Sequence, residues 1–344
     1  MNNENILVKS TEHWYGFDLI KGILIVFVFM GHVIPGVLRS TFPRYAIYSF
    51  HMPLFVGISG FLLNVEKIDI GFSKLFAKYW KRLILPWMIA VSVFFFTQNL
   101  MDGKILDITM VSFAAAFCYP YYHLWYIMGF ICYILVFRFL WIIFKNVRFK
   151  WTYIFIIAAC LSAISKWDCL SGHISNMYLN ILYKIIQNDF RLRNLIFFVF
   201  GIYCRYIYEH FGKPVFDKFI DAARVCMGLS IIFVTILFYF SYQNVENIMF
   251  YVMNICILFV IFYDCIASCL PRSKVFEFMG KYSLPVYLYH VLGKLFAVYL
   301  FEEGTEGYYI VNILCFIAGC ILIYFLRRIK IINNVIFGST ITSL

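Results

Sequence analysis

The chain has 344 residues, of which 63% are hydrophobic and 21% aromatic, and only 14% are charged. No soluble core hides so much apolar surface from water, and disorder needs the opposite balance of low hydrophobicity and high charge. The composition predicts a polytopic, all-α membrane protein, so the net charge of +11 concerns which loops face the cytoplasm rather than a nucleic-acid partner.

The first sixteen residues, with Glu4, Lys9, Glu12 and His13, lack the basic-then-apolar order of a cleavable signal and read as a short cytoplasmic segment. Apolar runs long enough to span follow at roughly 17–38, 44–63, 83–100, 122–144, 151–166, 194–210, 225–242, 247–269, 282–301 and 307–326. The segment 108–119 is too short to cross and is expected to be re-entrant or interfacial. About ten spans in one domain, 1–344, is the economical reading, since no fixed-period repeat or linker interrupts the chain. With the N-terminus inside, nineteen of the 29 Lys and Arg fall in inner segments and seven in outer ones, while Lys21, Arg138 and Lys294 lie within spans. Both termini are therefore expected inside. The loop at about 167–193 is long, and its apolar spacing predicts an interfacial helix presenting Lys184, Arg191 and Arg193 to an acceptor.

Charged and titratable side chains at membrane depth are costly, which makes each a functional candidate. The first span carries Asp18, Lys21 and His32. Lys21 and His32 are eleven residues apart, so they share a helix face about 16 Å apart along the axis. Lys21 alone reads equally well as a side chain snorkelling to the headgroups. His51 lies in the second span at a depth matching His32, near Pro53, Gly57 and Gly60, which suit a kink and close helix packing. His123 opens the fourth span beside Trp125, and His290 precedes Lys294 by one turn. Lys78, Lys81 and Arg82 cluster just before the third span, a group that suits the phosphates of a cytoplasmic ligand as well as ordinary positive-inside bias. The eleven Cys show no disulfide framework, and Cys265 with Cys269 lacks the further ligands of a zinc site. No sequence spacing marks a metal centre, and no permanently bound cofactor is expected.

These segments resemble acyltransferase family 3, the integral-membrane O-acyltransferases. Asp18-Leu-Ile-Lys21-Gly with His32 resembles the family's basic-x10-His signature. Ser49-Phe-His51-Met-Pro53-Leu-Phe with Ile58-Ser59-Gly60-Phe resembles the second span of the sugar O-acetylase branch, which includes fucose 4-O-acetylase-like proteins. His123-Leu-Trp125-Tyr and Tyr282-Ser-Leu-Pro-Val-Tyr287-Leu-Tyr-His290 resemble its fourth-span and late motifs. The basic group matches the family's Arg-x-x-Arg element only in part, since Tyr79 stands where the first Arg would be.

The resemblance implies about ten helices in a bacterial cytoplasmic membrane and an acetyl-CoA or other acyl-CoA donor. It implies a hydroxyl of a cell-surface or polyprenyl-linked glycan as acceptor. Under it, Lys21, Lys78, Lys81 and Arg82 hold the donor's phosphates and His32 is the general base. His51 orients the acceptor or steadies the oxyanion, and His123, Trp125 and His290 bind the acceptor. The alternative is a transporter or flippase for a lipid-linked saccharide, which two similar halves with paired broken helices would support.

Overall fold

In lipid every backbone N–H and C=O needs a partner within the protein, so long apolar runs become helices. The computed structural model describes residues 14–36, 41–63, 65, 68, 70–121, 123–167, 183, 190–240 and 248–338. Among them the elements are helical and no strand occurs. In chain order the helices are α1 (Tyr15–Val33), α2 (Phe42–Phe61), α3 (Phe72–Tyr79), α4 (Leu85–Met101), α5 (Met110–Cys118), α6 (Trp125–Phe144), α7 (Lys150–Trp167) and α8 (Leu195–Phe211). They continue as α9 (Pro214–Asp217), α10 (Ile220–Tyr239), α11 (Ile248–Ile266), α12 (Lys274–Lys281), α13 (Ser283–Tyr289), α14 (Leu292–Leu300), α15 (Glu306–Leu326) and α16 (Lys330–Val335).

Seven helical stretches among the described residues are long and apolar enough to cross a membrane: Tyr15–Val33, Phe72–Met101, Trp125–Phe144, Ile220–Tyr239, Ile248–Ile266, Ser283–Leu300 and Glu306–Leu326. The other three expected spans are present as α2, α7 and α8 but fall short of that standard. Ser49 and His51 of α2 are buried against neighbouring helices rather than turned to lipid. At 108–119 the expected non-spanning segment is the short helix α5, started by a Thr109–Ser112 capping box.

Small residues set the closest crossings. A Cβ on Gly22 of α1 would strike the Phe276 carbonyl of α12, and one on Gly280 would strike the Asp18 carbonyl of α1. In the same way Gly60 of α2 lies against the Phe198 carbonyl of α8, and Gly201 of α8 against the Gly57 carbonyl. Gly57 and Gly60 are thus packing residues, as the second-span pattern suggests.

Two prolines shape the site from within. Pro53 removes the N–H that the Ser49 carbonyl would accept, and Asn254 Nδ2 of α11 supplies the missing donor at 2.9 Å. Before Pro86 the helix widens into a π-turn, Trp80–Ile84, in which the Leu85 N–H reaches the Trp80 carbonyl. The expected ninth span is also interrupted. A turn at His290–Val291 divides α13 from α14, so His290 projects from a helix end rather than from a continuous rod.

Candidate functional site

The π-turn and the end of α3 form one wall of a cavity of about 640 Å³. Lys78, Arg82, Lys21 and Lys281 supply its cations, and Phe55, Ser59, Tyr126 and Tyr287 line it farther in. Gly338 closes another side, packed on the Arg82 carbonyl at φ 61°, a left-handed conformation that suits glycine. Lys21 is held by Asp18 at 2.8 Å, so one carboxylate already offsets part of the positive rim. Of the four cations expected to hold a donor, Lys21, Lys78 and Arg82 line this cavity and Lys81 does not. Lys81 is exposed, between the two lining residues Lys78 and Arg82 in sequence but not itself in the lining. Lys281 joins them from the far end of the chain, a contribution that local spacing could not reveal.

The cavity's inner wall leads to a second centre. Ser59 Oγ lies 3.0 Å from the Tyr126 hydroxyl, and the Tyr126 and Tyr287 rings are 5.4 Å apart. Tyr287 in turn packs edge-on against His123 at 5.0 Å, and its hydroxyl donates to the His123 carbonyl. Sequence reasoning quoted Ser59, Tyr126 and Tyr287 inside motifs but gave them no part in the site. The signal was present for Tyr287, which stands three residues before His290 and so shares its helix face.

His32, His123 and His290 then converge from α1, the start of α6 and the turn after α13. Their ring centroids are 5.6, 5.3 and 4.5 Å apart, and one nitrogen from each ring lies within 4.8 Å of the others. His123 and His290 are buried, while His32 is partly exposed and therefore reachable. Carbonyl oxygens only accept, so each hydrogen-bonded ring nitrogen must carry its proton. His123 donates from Nε2 to Leu288 O at 3.2 Å, and His290 from Nδ1 to Tyr287 O at 2.7 Å. In the neutral rings this leaves lone pairs on His123 Nδ1 and His290 Nε2, both buried and without a partner.

His51 stands outside this group of three. Its Nδ1 donates to Ile47 O at 2.6 Å and its ring packs on Tyr48 at 5.0 Å, so its other nitrogen is an acceptor in the neutral ring. That state suits taking a proton better than donating to an oxyanion. Trp125 is buried beneath the Arg191 guanidinium, which lies 4.0 Å from its ring. Among the described ring contacts it meets Tyr126 and none of the histidines. Lys184 and most of the 167–193 loop lie outside the described residues; Arg191 and Arg193 lie within them.

The end of α1 that carries His32 is clasped tightly. Arg44 Nη1 donates to Gly31 O at 3.1 Å and also to Ile34 O. Tyr308 Oη donates to Val33 O at 3.0 Å, and Tyr48 Oη to Gly31 O at 3.4 Å. These are the carbonyls a helix end leaves unsatisfied, so the clasp fixes the axial position of His32. Lys294, one turn beyond His290, pairs with Glu303 at 3.2 Å.

Nodulation protein NolL of Sinorhizobium fredii is 27% identical over 128 residues, 33% of each chain. Nodulation protein NolL of Mesorhizobium japonicum is 28% identical over 135 residues, 35% of this chain and 34% of its own. Each match thus spans about a third of the relative's length. No solved structure matches. The family described as "Acyltransferase domain" matches residues 14–327, which takes in the cavity's four cations and the three clustered histidines. The chain is an integral, multi-pass membrane protein and belongs to acyltransferase family 3.

Proposed function

We propose that the protein moves an acyl group, acetyl in the first instance, from cytoplasmic acyl-CoA to a hydroxyl of a cell-surface or polyprenyl-linked glycan. Its place would be the cytoplasmic membrane of a bacterium. The observation that carries this reading is the connection between the two centres: a cation-rimmed cavity is lined by Tyr287, whose ring packs edge-on against His123 of the histidine group. Lys78, Arg82, Lys281 and Lys21 would hold the donor's phosphates by charge-assisted hydrogen bonds. The pantetheine arm would pass Ser59 and Tyr126 and bring the thioester to Tyr287.

At the histidine centre the acceptor hydroxyl is activated beside His32, the member of the group a substrate can reach. Its oxygen attacks the thioester carbonyl carbon, a C–O bond forms, the C–S bond breaks, and the hydroxyl proton ends on the departing CoA thiol. The Tyr126 and Tyr287 rings between the centres separate the donor arm from the acceptor side. A transporter reading has no comparable observation in its favour, since no duplicated half is visible in the sequence.

The test is mass spectrometry of surface and lipid-linked glycans from cells with and without the gene, together with acyl transfer by purified protein in proteoliposomes. Acylated glycan that disappears with the gene supports the reading. Unchanged glycan acylation with altered export would replace it by the transporter.

A further inference from the structure

We propose that His32, His123 and His290 form a binding site for a divalent transition-metal ion, with zinc the best match. Three observations converge. Three ring nitrogens from distant parts of the chain lie within 4.8 Å of one another. His123 and His290 each spend one N–H on a backbone carbonyl, the arrangement that fixes the ring of a metal-bound imidazole and frees its other nitrogen. Those other nitrogens, His123 Nδ1 and His290 Nε2, are buried and have no hydrogen-bond partner. A buried lone pair without a partner is costly, and two of the three rings in this cluster carry one.

The chemistry of the donors selects among the occupants. A shared proton would join two nitrogens at hydrogen-bond distance and leave the third idle, whereas a metal ion uses all three. At Zn–N distances of 2.0–2.1 Å, tetrahedral nitrogens stand about 3.4 Å apart, so even the widest pair need close by only about 1.4 Å. Imidazole donors suit zinc, copper, iron and nickel, and an all-nitrogen set without carboxylate disfavours magnesium and calcium. The nearby cations do not forbid an ion. Lys294 is neutralised by Glu303, and the Arg44 guanidinium is turned onto the carbonyls that end α1. Three histidines leave a fourth position open, as catalytic zinc sites do.

That open position gives the ion a task at the proposed acyl-transfer site. An acceptor hydroxyl bound there becomes more acidic, and His51, whose free ring nitrogen is an acceptor, lies on the adjoining helix to receive the proton. This role rests on the acyl-transfer reading above; the binding of the ion does not.

The experiment uses full-length protein purified in detergent, stripped with chelator and re-loaded with zinc or cobalt(II). Bound metal is measured by elemental analysis after desalting, and geometry by the visible d–d bands of cobalt. The result expected is about one ion per chain with tetrahedral cobalt bands. Binding should fall at least about tenfold in His123→Ala and His290→Ala, while His210→Ala, on the exposed end of α8, stays as wild type. Wild-type protein that retains less than about a tenth of an equivalent overturns the site, without reference to any variant's folding. Equal binding in wild type and in well-folded His123→Ala and His290→Ala overturns it too. Stoichiometric metal in a protein that never acylates any acceptor keeps the site and sinks the acyl-transfer reading, so the two failures are distinguishable.

Discussion

The basic cavity and the histidine centre are built on opposite principles. The cavity's cations are exposed or partly exposed, two of the four come from the neighbouring turns at Lys78–Arg82, and under the proposed function all four would share one job. The histidine centre draws single residues from positions 32, 123 and 290, buries two of them, and ties their rings to backbone carbonyls. Charge in a solvated rim is additive and forgiving, whereas a buried group with one fixed geometry is neither. Substitutions in the two regions should therefore differ in size and in kind.

The largest effect belongs to the histidine centre. His32→Ala should lower acyl transfer by about 10²–10⁴-fold in protein that inserts normally, with acyl-CoA binding retained. Near-wild-type transfer per folded molecule would remove His32 from the chemistry. Next comes the clasp on α1. Arg44→Gln should cut kcat by about tenfold with little change in the donor KM, because it displaces His32 without touching the cavity, and Tyr308→Phe should do less. Matching changes in both constants would mean that Arg44 serves general stability.

The cavity should respond more mildly. Arg82→Ala is expected to raise the donor KM about tenfold, one charge-assisted contact's worth, and to leave acceptor kinetics alone. Lys81→Ala sharpens the comparison, since Lys81 lies outside the cavity lining and its loss should change the donor KM less than about twofold. A Lys81 effect as large as that of Arg82 would mean that the positive field, not contact, holds the donor. Smallest in reach is the support beneath His51. Asn254→Leu strips the Ser49 carbonyl of the partner that Pro53 denies it, at a cost of about 1–3 kcal/mol, read as a lowered Tm.

How much of this was legible in the sequence follows from the same contrast. Helices were legible because lipid leaves the backbone one local solution, and Gly57 and Gly60 announced a close crossing. The basic group was legible because Lys78 and Arg82 are neighbours in the chain; Lys281 was not, since its helix α12 reaches α1 through tertiary packing, with Gly22 against the Phe276 carbonyl and Gly280 against the Asp18 carbonyl. The histidines were legible singly, as costly residues at matching depth. Their grouping was not, because no spacing relates 32, 123 and 290, and because the break at His290–Val291 interrupts what reads as a continuous apolar run. The separation of His51 from the other three was hidden for a related reason. Depth along a helix is readable from residue number, whereas the direction it faces depends on neighbours far away in the chain.

The central claim is that donor and acceptor meet where the cavity ends at Tyr287 and the histidines begin. An experimental structure with a non-hydrolysable acyl-CoA analogue tests it most directly. The account predicts the nucleotide phosphates among Lys21, Lys78, Arg82 and Lys281, with the acyl end beside Tyr287 on the His32 side. Nucleotide bound elsewhere, or an acyl end pointing away from the histidine centre, would contradict it.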